Sequence, residues 1–135
     1  MELKNVGPTV KTPAANFTGD VYLTMVHSGH EPSRLTVGLV RFTPGARTNW
    51  HRHAVGQTLH VTEGAGLVGT RDGQVVRVRA GDTVLCPPDE EHWHGAGADT
   101  FLSHLALTEN LPGGENPTTW LEPLPQAEYE EANQQ

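Results

Sequence analysis

Apolar and polar residues alternate through the middle of the chain in short runs, with the length and period typical of β-strands. Val, Leu, Thr and aromatic residues fill these runs, and Gly, Pro, Asp and Asn separate them. No long stretch shows the spacing of an amphipathic helix, so the pattern predicts an all-β domain. The predicted strands cover residues 21–26, 35–42, 57–63, 66–70, 74–80, 82–86 and 100–108.

Turn residues fall where this division needs them. Arg71-Asp72-Gly73 separates two of the predicted strands, and Asp-Gly tolerates the positive φ angles of a tight hairpin turn. Gly45, Gly64, Gly81 and Gly95 mark further breaks between elements. We therefore expect many short antiparallel strands, as in a β-barrel or sandwich.

The predicted strand at residues 35–42 carries apolar side chains on both of its faces. Leu35, Val37 and Leu39 share one face, and Val40 and Phe42 lie on the other, because successive side chains of a strand point in opposite directions. One face can line the interior of a barrel. The other then needs a cover, either from the N-terminal segment, residues 1–34, or from a second subunit. We predict a homodimer or higher homo-oligomer.

The pattern changes after the core, which we assign to residues 35–108. The C-terminal segment, residues 109–135, is rich in Pro and Gly and ends in an acidic stretch. We expect it to wrap around the barrel, anchored by Trp120 and Leu121, with a short helix after Pro125. The final EEANQQ is expected to be a solvated tail.

Length and charge exclude several classes of function. A chain of 135 residues suits one domain, and 16 acidic against 9 basic residues give a net charge of -7. Such a chain should not bind nucleic acid. No apolar run reaches the length of a signal-peptide core or a membrane span, so we expect a cytoplasmic protein that does not enter membranes. The single Cys86 fits a reducing compartment and is expected to pack in the core.

The histidines carry the strongest chemical signal in the chain. In an extended backbone, His51 and His53 project to the same side, a spacing that suits two imidazoles on one metal ion. Gln57 begins the next strand, on which His60 points to the opposite face. We therefore expect His60 to lie outside the site that holds His51 and His53.

More histidines follow at a distance. His92 and His94 repeat the two-residue spacing, and His104 lies in the last predicted strand of the core. Any one of them alone is more often a structural or surface histidine than a metal ligand. Together, histidines and a glutamine from separate segments indicate a metal site. Trp50 and Trp93 neighbour candidate ligands but face away from them, towards the outside of the barrel or a dimer contact.

Two motifs with this spacing resemble those of the cupin family. Gly45-x5-His51-x-His53-x3-Gln57-x6-Gly64 is similar to the first cupin motif, and Gly81-x5-Pro87-x-Asp89-x2-His92 is similar to the second. The resemblance covers roughly residues 35–108 and implies a six- or eight-stranded β-barrel with a divalent metal. The ligands that it implies here are His51, His53, Gln57 and His92.

The chain departs from this family pattern in ways that matter for its chemistry. Gln57 replaces the usual glutamate, while Asp89 and Ala96 replace a glycine and an asparagine. Three neutral imidazoles and an amide would leave the full dipositive charge on the ion. That ion is a stronger Lewis acid and is harder to oxidise, which favours polarising a bound oxygen over redox chemistry.

A closer resemblance narrows the expectation. PGARTNWHRHAVGQTLHVTEGAG, EEHWHGAG, SHLAL and WLEPL are similar to small bacterial manganese-dependent cupins with hydroxynitrile lyase activity. This implies Mn(II), with Fe(II), Zn(II) or Ni(II) as other candidates, and a cyanohydrin or aldehyde as substrate. His94 and His104 would transfer protons. The substrate would lie in an apolar pocket formed by Val40, Phe42, Thr48, Leu59 and Val61.

Other functions remain open from sequence. The same barrel could hold iron and act as an Fe(II)-dependent dioxygenase, since cupin dioxygenases without the glutamate exist. It could also bind a small ligand without catalysis. For His104, the alternative is a buried histidine bonded to a neighbouring strand.

Overall fold

The computed structural model describes residues 1–135 and contains twelve β-strands and one α-helix. A single 3-10 turn, Pro112–Gly114, and the helix α1, Gln126–Gln134, both follow the main body of strands. The strands are β1 Val10–Lys11, β2 Phe17–Thr18, β3 Val21–His27, β4 Leu35–Phe42, β5 Arg47–Thr48, β6 His51–His53, β7 Gln57–Thr70, β8 Val75–Arg79, β9 Thr83–Cys86, β10 His92–Ala96, β11 Leu102–Glu109 and β12 Thr118–Trp120.

All of the described strand pairs are antiparallel, and the central order is β1-β3-β4-β11-β7-β10-β5-β2. Strand β7 links the two halves of this curled sheet. Its first half pairs with β9 and β11, and its second half pairs with β8 and β10. The curled sheet forms the single-domain, all-β barrel that the sequence predicts.

One continuous strand replaces two that we predicted from sequence. Residues 57–63 and 66–70 belong to β7, which passes through Gly64 without ending. Gly64 has a φ of 77°, and a Cβ there would collide with the carbonyl oxygen of Phe101. The glycine therefore bends the strand from one half of the sheet to the other, and such a bend cannot be distinguished from a turn by pattern alone. The predicted hairpin at Asp72-Gly73 is confirmed by the pairing of β7 with β8.

The main core fills the space enclosed by the sheet. It comprises eleven buried residues: Val21, Val40, Phe42, Ala46, Leu59, Val61, Val68, Val78, Cys86, Ala96 and Leu102. Burial raises the pKa of the Cys86 thiol to about 12. The thiol therefore stays protonated and packs as a small apolar side chain, as expected.

A second apolar cluster lies outside the barrel, between the sheet and α1. Trp50 and Trp93 pack there with Leu124, Tyr129 and Ala132. The outward direction of the two tryptophans is confirmed, and their cover is the C-terminal helix of the same chain. The expectation of a solvated tail at residues 130–135 is wrong for Ala132, which shares one helix face with Tyr129 and is only 3% exposed. The expectation holds for Glu130, Glu131, Gln134 and Gln135, which are exposed.

Arg47 and Tyr129 hold this helix on the sheet. The Arg47 guanidinium lies 4.4 Å from the centre of the Tyr129 ring and donates to the carbonyl oxygen of Leu124 and the side-chain oxygen of Gln126. The Tyr129 hydroxyl donates to the carbonyl oxygen of Ala96 over 2.7 Å. Ala96 ends β10, so the helix is fixed directly to a strand of the barrel.

Replacing Tyr129 with Phe should destabilise the protein by about 1–3 kcal/mol, because the buried Ala96 carbonyl would lose its side-chain donor. Chemical unfolding monitored by tryptophan fluorescence measures this change. Glu131→Gln, at an exposed position of the same helix, is the control and should shift the free energy of unfolding by less than about 0.5 kcal/mol. Equal stability of the two variants would show that the hydroxyl bond contributes nothing.

The outer face of β4 is only partly covered within one chain. Leu35 is 40% exposed, while Val37 and Leu39 are of intermediate exposure. Residues before β1 include the exposed Leu3 and Val6. Homodimer formation therefore stays a prediction. No helix of the chain combines the length and the apolar character needed to cross a membrane.

Candidate metal centre

Three histidines from two paired strands meet inside the barrel. His51 and His53 lie on β6, and His92 on β10 is the register partner of His51. Their exposed fractions are 1%, 4% and 0%. Each offers a ring nitrogen, and these nitrogens all lie within 4.8 Å of one another. This convergence matches the two-residue spacing of His51 and His53 and the long-range pairing that brings His92 to them.

The Nδ1 atom of each ring is already engaged on the side away from the cluster. In His51 it bonds the carbonyl oxygen of Asn49 over 3.0 Å, and in His92 that of Glu90 over 2.9 Å. In His53 it bonds the Thr118 hydroxyl over 3.0 Å. Bonds of this kind orient histidines so that Nε2 is available to a metal.

Gln57 lies beside these three histidines. Its side-chain oxygen is 3.4 Å from the Nε2 of His92, and the residue is 9% exposed. His60, in contrast, lies outside the barrel, where its Nδ1 bonds the Thr83 hydroxyl. The structure thus separates His60 from the cluster, as strand alternation predicts.

The three histidines are neutral at physiological pH. Burial lowers the pKa of His53 to about 4, with a further lowering by His92. Burial also lowers the pKa of His92, and lowers that of His51 well below its usual value. Neutral rings have a free lone pair, and the Nε2 of His53 is buried with no hydrogen-bond partner. These residues therefore fit a divalent metal ion.

A second histidine pair lies beside this cluster. His94 and His104 are 4% and 1% exposed, and the Nδ1 of His94 lies 3.1 Å from the Nε2 of His104. The other nitrogen of each ring is buried without a partner. Burial lowers the pKa of His104 to about 4, and burial together with the neighbouring His104 lowers the pKa of His94 well below its usual value. Both rings pack against Phe42.

A cavity of about 160 Å³ opens onto the histidines. Its polar lining includes His51, His53, Gln57 and His94, and its apolar lining consists of Phe17, Leu23, Val40, Ala106 and Trp120. Larger surface depressions exist, including one of about 690 Å³ with no apolar lining residue. That depression contains none of the clustered histidines.

Only part of the expected substrate pocket lines this cavity. Val40 and Thr48 do, and Thr48 also accepts a hydrogen bond from the backbone N–H of His94. Phe42, Leu59 and Val61 do not line it, and lie in the core instead. Strand alternation predicts that a side chain faces inward but not how deep it lies. Val61 lies four residues along β7 from Gln57, which places it about 13 Å from Gln57 along the strand.

Sequence reasoning missed the residues that other segments contribute to this cavity. Phe17 comes from β2, and Thr118 and Trp120 come from β12. The Trp120 ring lies 4.7 Å from the His51 ring and 5.2 Å from the Phe17 ring. The alternation in Thr118-Thr119-Trp120 indicates that the first and third residues share a face. Nothing in the sequence indicates which strand they pair with.

The barrel and its buried histidine cluster place the chain among small β-barrel proteins with a site suited to a metal ion. The Cupin domain family matches residues 38–105. The chain belongs to this family.

Similar proteins include lyases and a cupin of known structure. The (R)-mandelonitrile lyase of Granulicella tundricola is 40% identical over 96% of this chain and 98% of its own. The dimethylsulfoniopropionate lyase DddW of Ruegeria pomeroyi is 34% identical over 60% of this chain and 54% of its own. A cupin-like protein from Thermotoga maritima has a TM-score of 0.85 and 34% identity over 98% of this chain and 97% of its own.

Proposed function

We propose that the chain is a metal-dependent lyase that cleaves cyanohydrins to an aldehyde and hydrogen cyanide, or forms them in reverse. The observation that carries this proposal is a single cavity whose lining includes His51 and His53 of the cluster together with His94. A neutral cluster suited to a divalent metal adjoins His94 and His104, which are bonded to each other and lie outside the three-histidine group. The similarity to a mandelonitrile lyase along nearly the whole chain supports the same activity.

We assign the metal to His51, His53, Gln57 and His92, with Mn(II) as the ion and Fe(II), Zn(II) or Ni(II) as alternatives. Gln57 contributes an amide oxygen without negative charge, and burial keeps the three histidines neutral. A divalent ion bound there supplies Lewis-acid stabilisation of the negative charge that develops on the substrate oxygen.

His94 is the group that moves the proton. It lines the cavity, and its buried Nε2 has no hydrogen-bond partner. With Nδ1 donating to His104, this Nε2 is an acceptor for the cyanohydrin hydroxyl proton. The carbon–carbon bond then breaks, its electron pair leaves with cyanide, and the oxygen lone pair forms the carbonyl. His94 returns the proton to cyanide, which leaves as hydrogen cyanide.

His104 acts through His94. Its Nε2 accepts from Nδ1 of His94 over 3.1 Å, and this bond strengthens when His94 becomes positively charged. Because His104 does not line the cavity, we assign it the positioning role and His94 the proton transfer. The five apolar lining residues surround the side chain of the aldehyde. The volume of about 160 Å³ is close to that of a cavity known to take up benzene, so an aryl group fits.

The test is cleavage of mandelonitrile by protein loaded with Mn(II), followed through the absorbance of benzaldehyde. The wild type should release benzaldehyde, and His60→Ala should match it because His60 lies outside the barrel. Dimethylsulfoniopropionate is tested as a second substrate, because one of the similar proteins is a lyase of this compound. Absence of turnover with every cyanohydrin tried, in protein shown to hold the metal, would contradict the proposal. Oxygen consumption that requires Fe(II) would favour a dioxygenase, and tight ligand binding without turnover would favour a binding protein.

Two wider expectations belong to this proposal. The partly exposed outer face of β4 suits contact with a second copy, which sedimentation analysis tests directly. The acidic net charge suits the cytoplasm and a small-molecule substrate rather than a nucleic acid.

A further inference from the structure

The short strand β12 runs beside the strand that carries two of the clustered histidines. Its register with β6 places Thr118 opposite His53 and Trp120 opposite His51. Because alternate residues share a face, Thr118 and Trp120 both point into the cavity, and Thr119 between them is exposed. This strand lies outside the part of the chain that matches the Cupin domain, residues 38–105.

The three clustered histidines are not held in the same way. His51 and His92 each bond a backbone carbonyl oxygen through Nδ1. A carbonyl oxygen only accepts, so both rings must carry their proton on Nδ1 and present the Nε2 lone pair. His53 instead bonds the Thr118 hydroxyl. A hydroxyl can donate or accept, so this contact permits either tautomer and depends on a single side chain.

We propose that Thr118 is a positioning residue for His53. Its hydroxyl accepts the Nδ1 proton and holds the ring with Nε2 towards His51 and His92. The proposal rests on the metal site of the proposed function, but not on the identity of the substrate. The buried, unpartnered Nε2 of His53 is the atom that Thr118 orients. Outer bonds of this kind contribute roughly 10–100-fold to metal affinity.

Matched variants of β12 test this role through metal affinity, without any substrate. Thr118→Val keeps the shape of the side chain and removes the hydroxyl, and Thr118→Ser keeps the hydroxyl. Thr119→Val makes the same change at the exposed neighbour. Calorimetric titration with Mn(II), and separately with Zn(II), should show binding weakened about 10–100-fold in Thr118→Val. Thr118→Ser and Thr119→Val should bind as the wild type does.

Two results would overturn the proposal. Thr118→Val could bind both metals as tightly as the wild type, or Thr118→Ser could be as weak as Thr118→Val, which would assign the effect to shape. Thermal unfolding of the metal-free variants separates loss of affinity from loss of fold. If Thr118→Val does not fold, nitrogen-15 NMR of the wild type decides instead. A proton on Nδ1 of His53 supports the proposal, and a proton on Nε2 overturns it.

Failure of Thr118 as a positioning residue can be distinguished from failure of the lyase. If Thr118→Val loses affinity but no variant or wild type cleaves a cyanohydrin, the positioning role stands and the lyase proposal fails. If the wild type cleaves mandelonitrile and Thr118→Val keeps full affinity, the reverse holds. A wild type that binds neither Mn(II) nor Zn(II) would contradict both.

Discussion

Replacing His92 with Ala should lower metal affinity by more than about 100-fold and abolish lyase activity. His92 is the member of the cluster that comes from β10, and it lies next to both His51 and Gln57. Its loss would leave two histidines on one short strand and a weak amide donor. Losing a direct ligand should cost more than the roughly 10–100-fold effect of an outer hydrogen bond. Metal content by mass spectrometry and calorimetric titration measure the change.

His60→Ala is the matched control for this prediction. His60 is also a strand histidine, but it bonds Thr83 outside the barrel, so the variant should keep the metal content of the wild type. Retention of tight metal binding by His92→Ala would show that the ion is held elsewhere. Equal loss in both variants would indicate a general effect of removing a histidine.

Replacing His94 with Ala should reduce kcat about 100- to 10,000-fold while leaving the metal in place. His94 lines the cavity, and its Nε2 is buried without a partner, but its Nδ1 bonds His104 rather than the cluster. Proton transfer should therefore be lost without loss of a ligand. Kinetics with mandelonitrile, together with metal content of the same samples, measure both quantities.

The double variant sharpens this second prediction. His104→Ala alone should also lower kcat, and His94→Ala with His104→Ala should be no slower than His94→Ala alone, because His104 acts only through His94. Multiplying losses would show that the two histidines act independently. A kcat within about threefold of the wild type in His94→Ala would remove His94 from the mechanism.

Much of the site could be predicted because it depends on local geometry. Alternation along an extended chain puts His51 and His53 on one side and sends His60 to the other. The family motifs supply the distant partner, His92, which no local pattern could pair with His51. The same alternation correctly directs Trp50 and Trp93 away from the cavity.

The remaining features depend on how deep a side chain lies in the barrel and on which distant strands pair. Neither can be derived from a single sequence. Leu59 and Val61 face inward as alternation predicts, but they lie deeper than the cavity, where side chains fill the barrel. Thr118 and Trp120 reach the cluster only because β12 pairs with β6. The acidic C-terminus has the composition of a solvated tail, and the sequence alone does not show that Ala132 packs with Tyr129 on a buried helix face.

The proposed lyase function requires a neutral histidine–glutamine site that holds a divalent metal next to His94. Titration of metal-free protein with Mn(II), with metal occupancy and mandelonitrile cleavage followed in the same samples, tests it most directly. We expect activity to rise in proportion to occupancy, reach a plateau at about one ion per chain, and disappear on chelation. Cleavage that is the same with and without bound metal, or a fully loaded protein that cleaves no mandelonitrile, would contradict it.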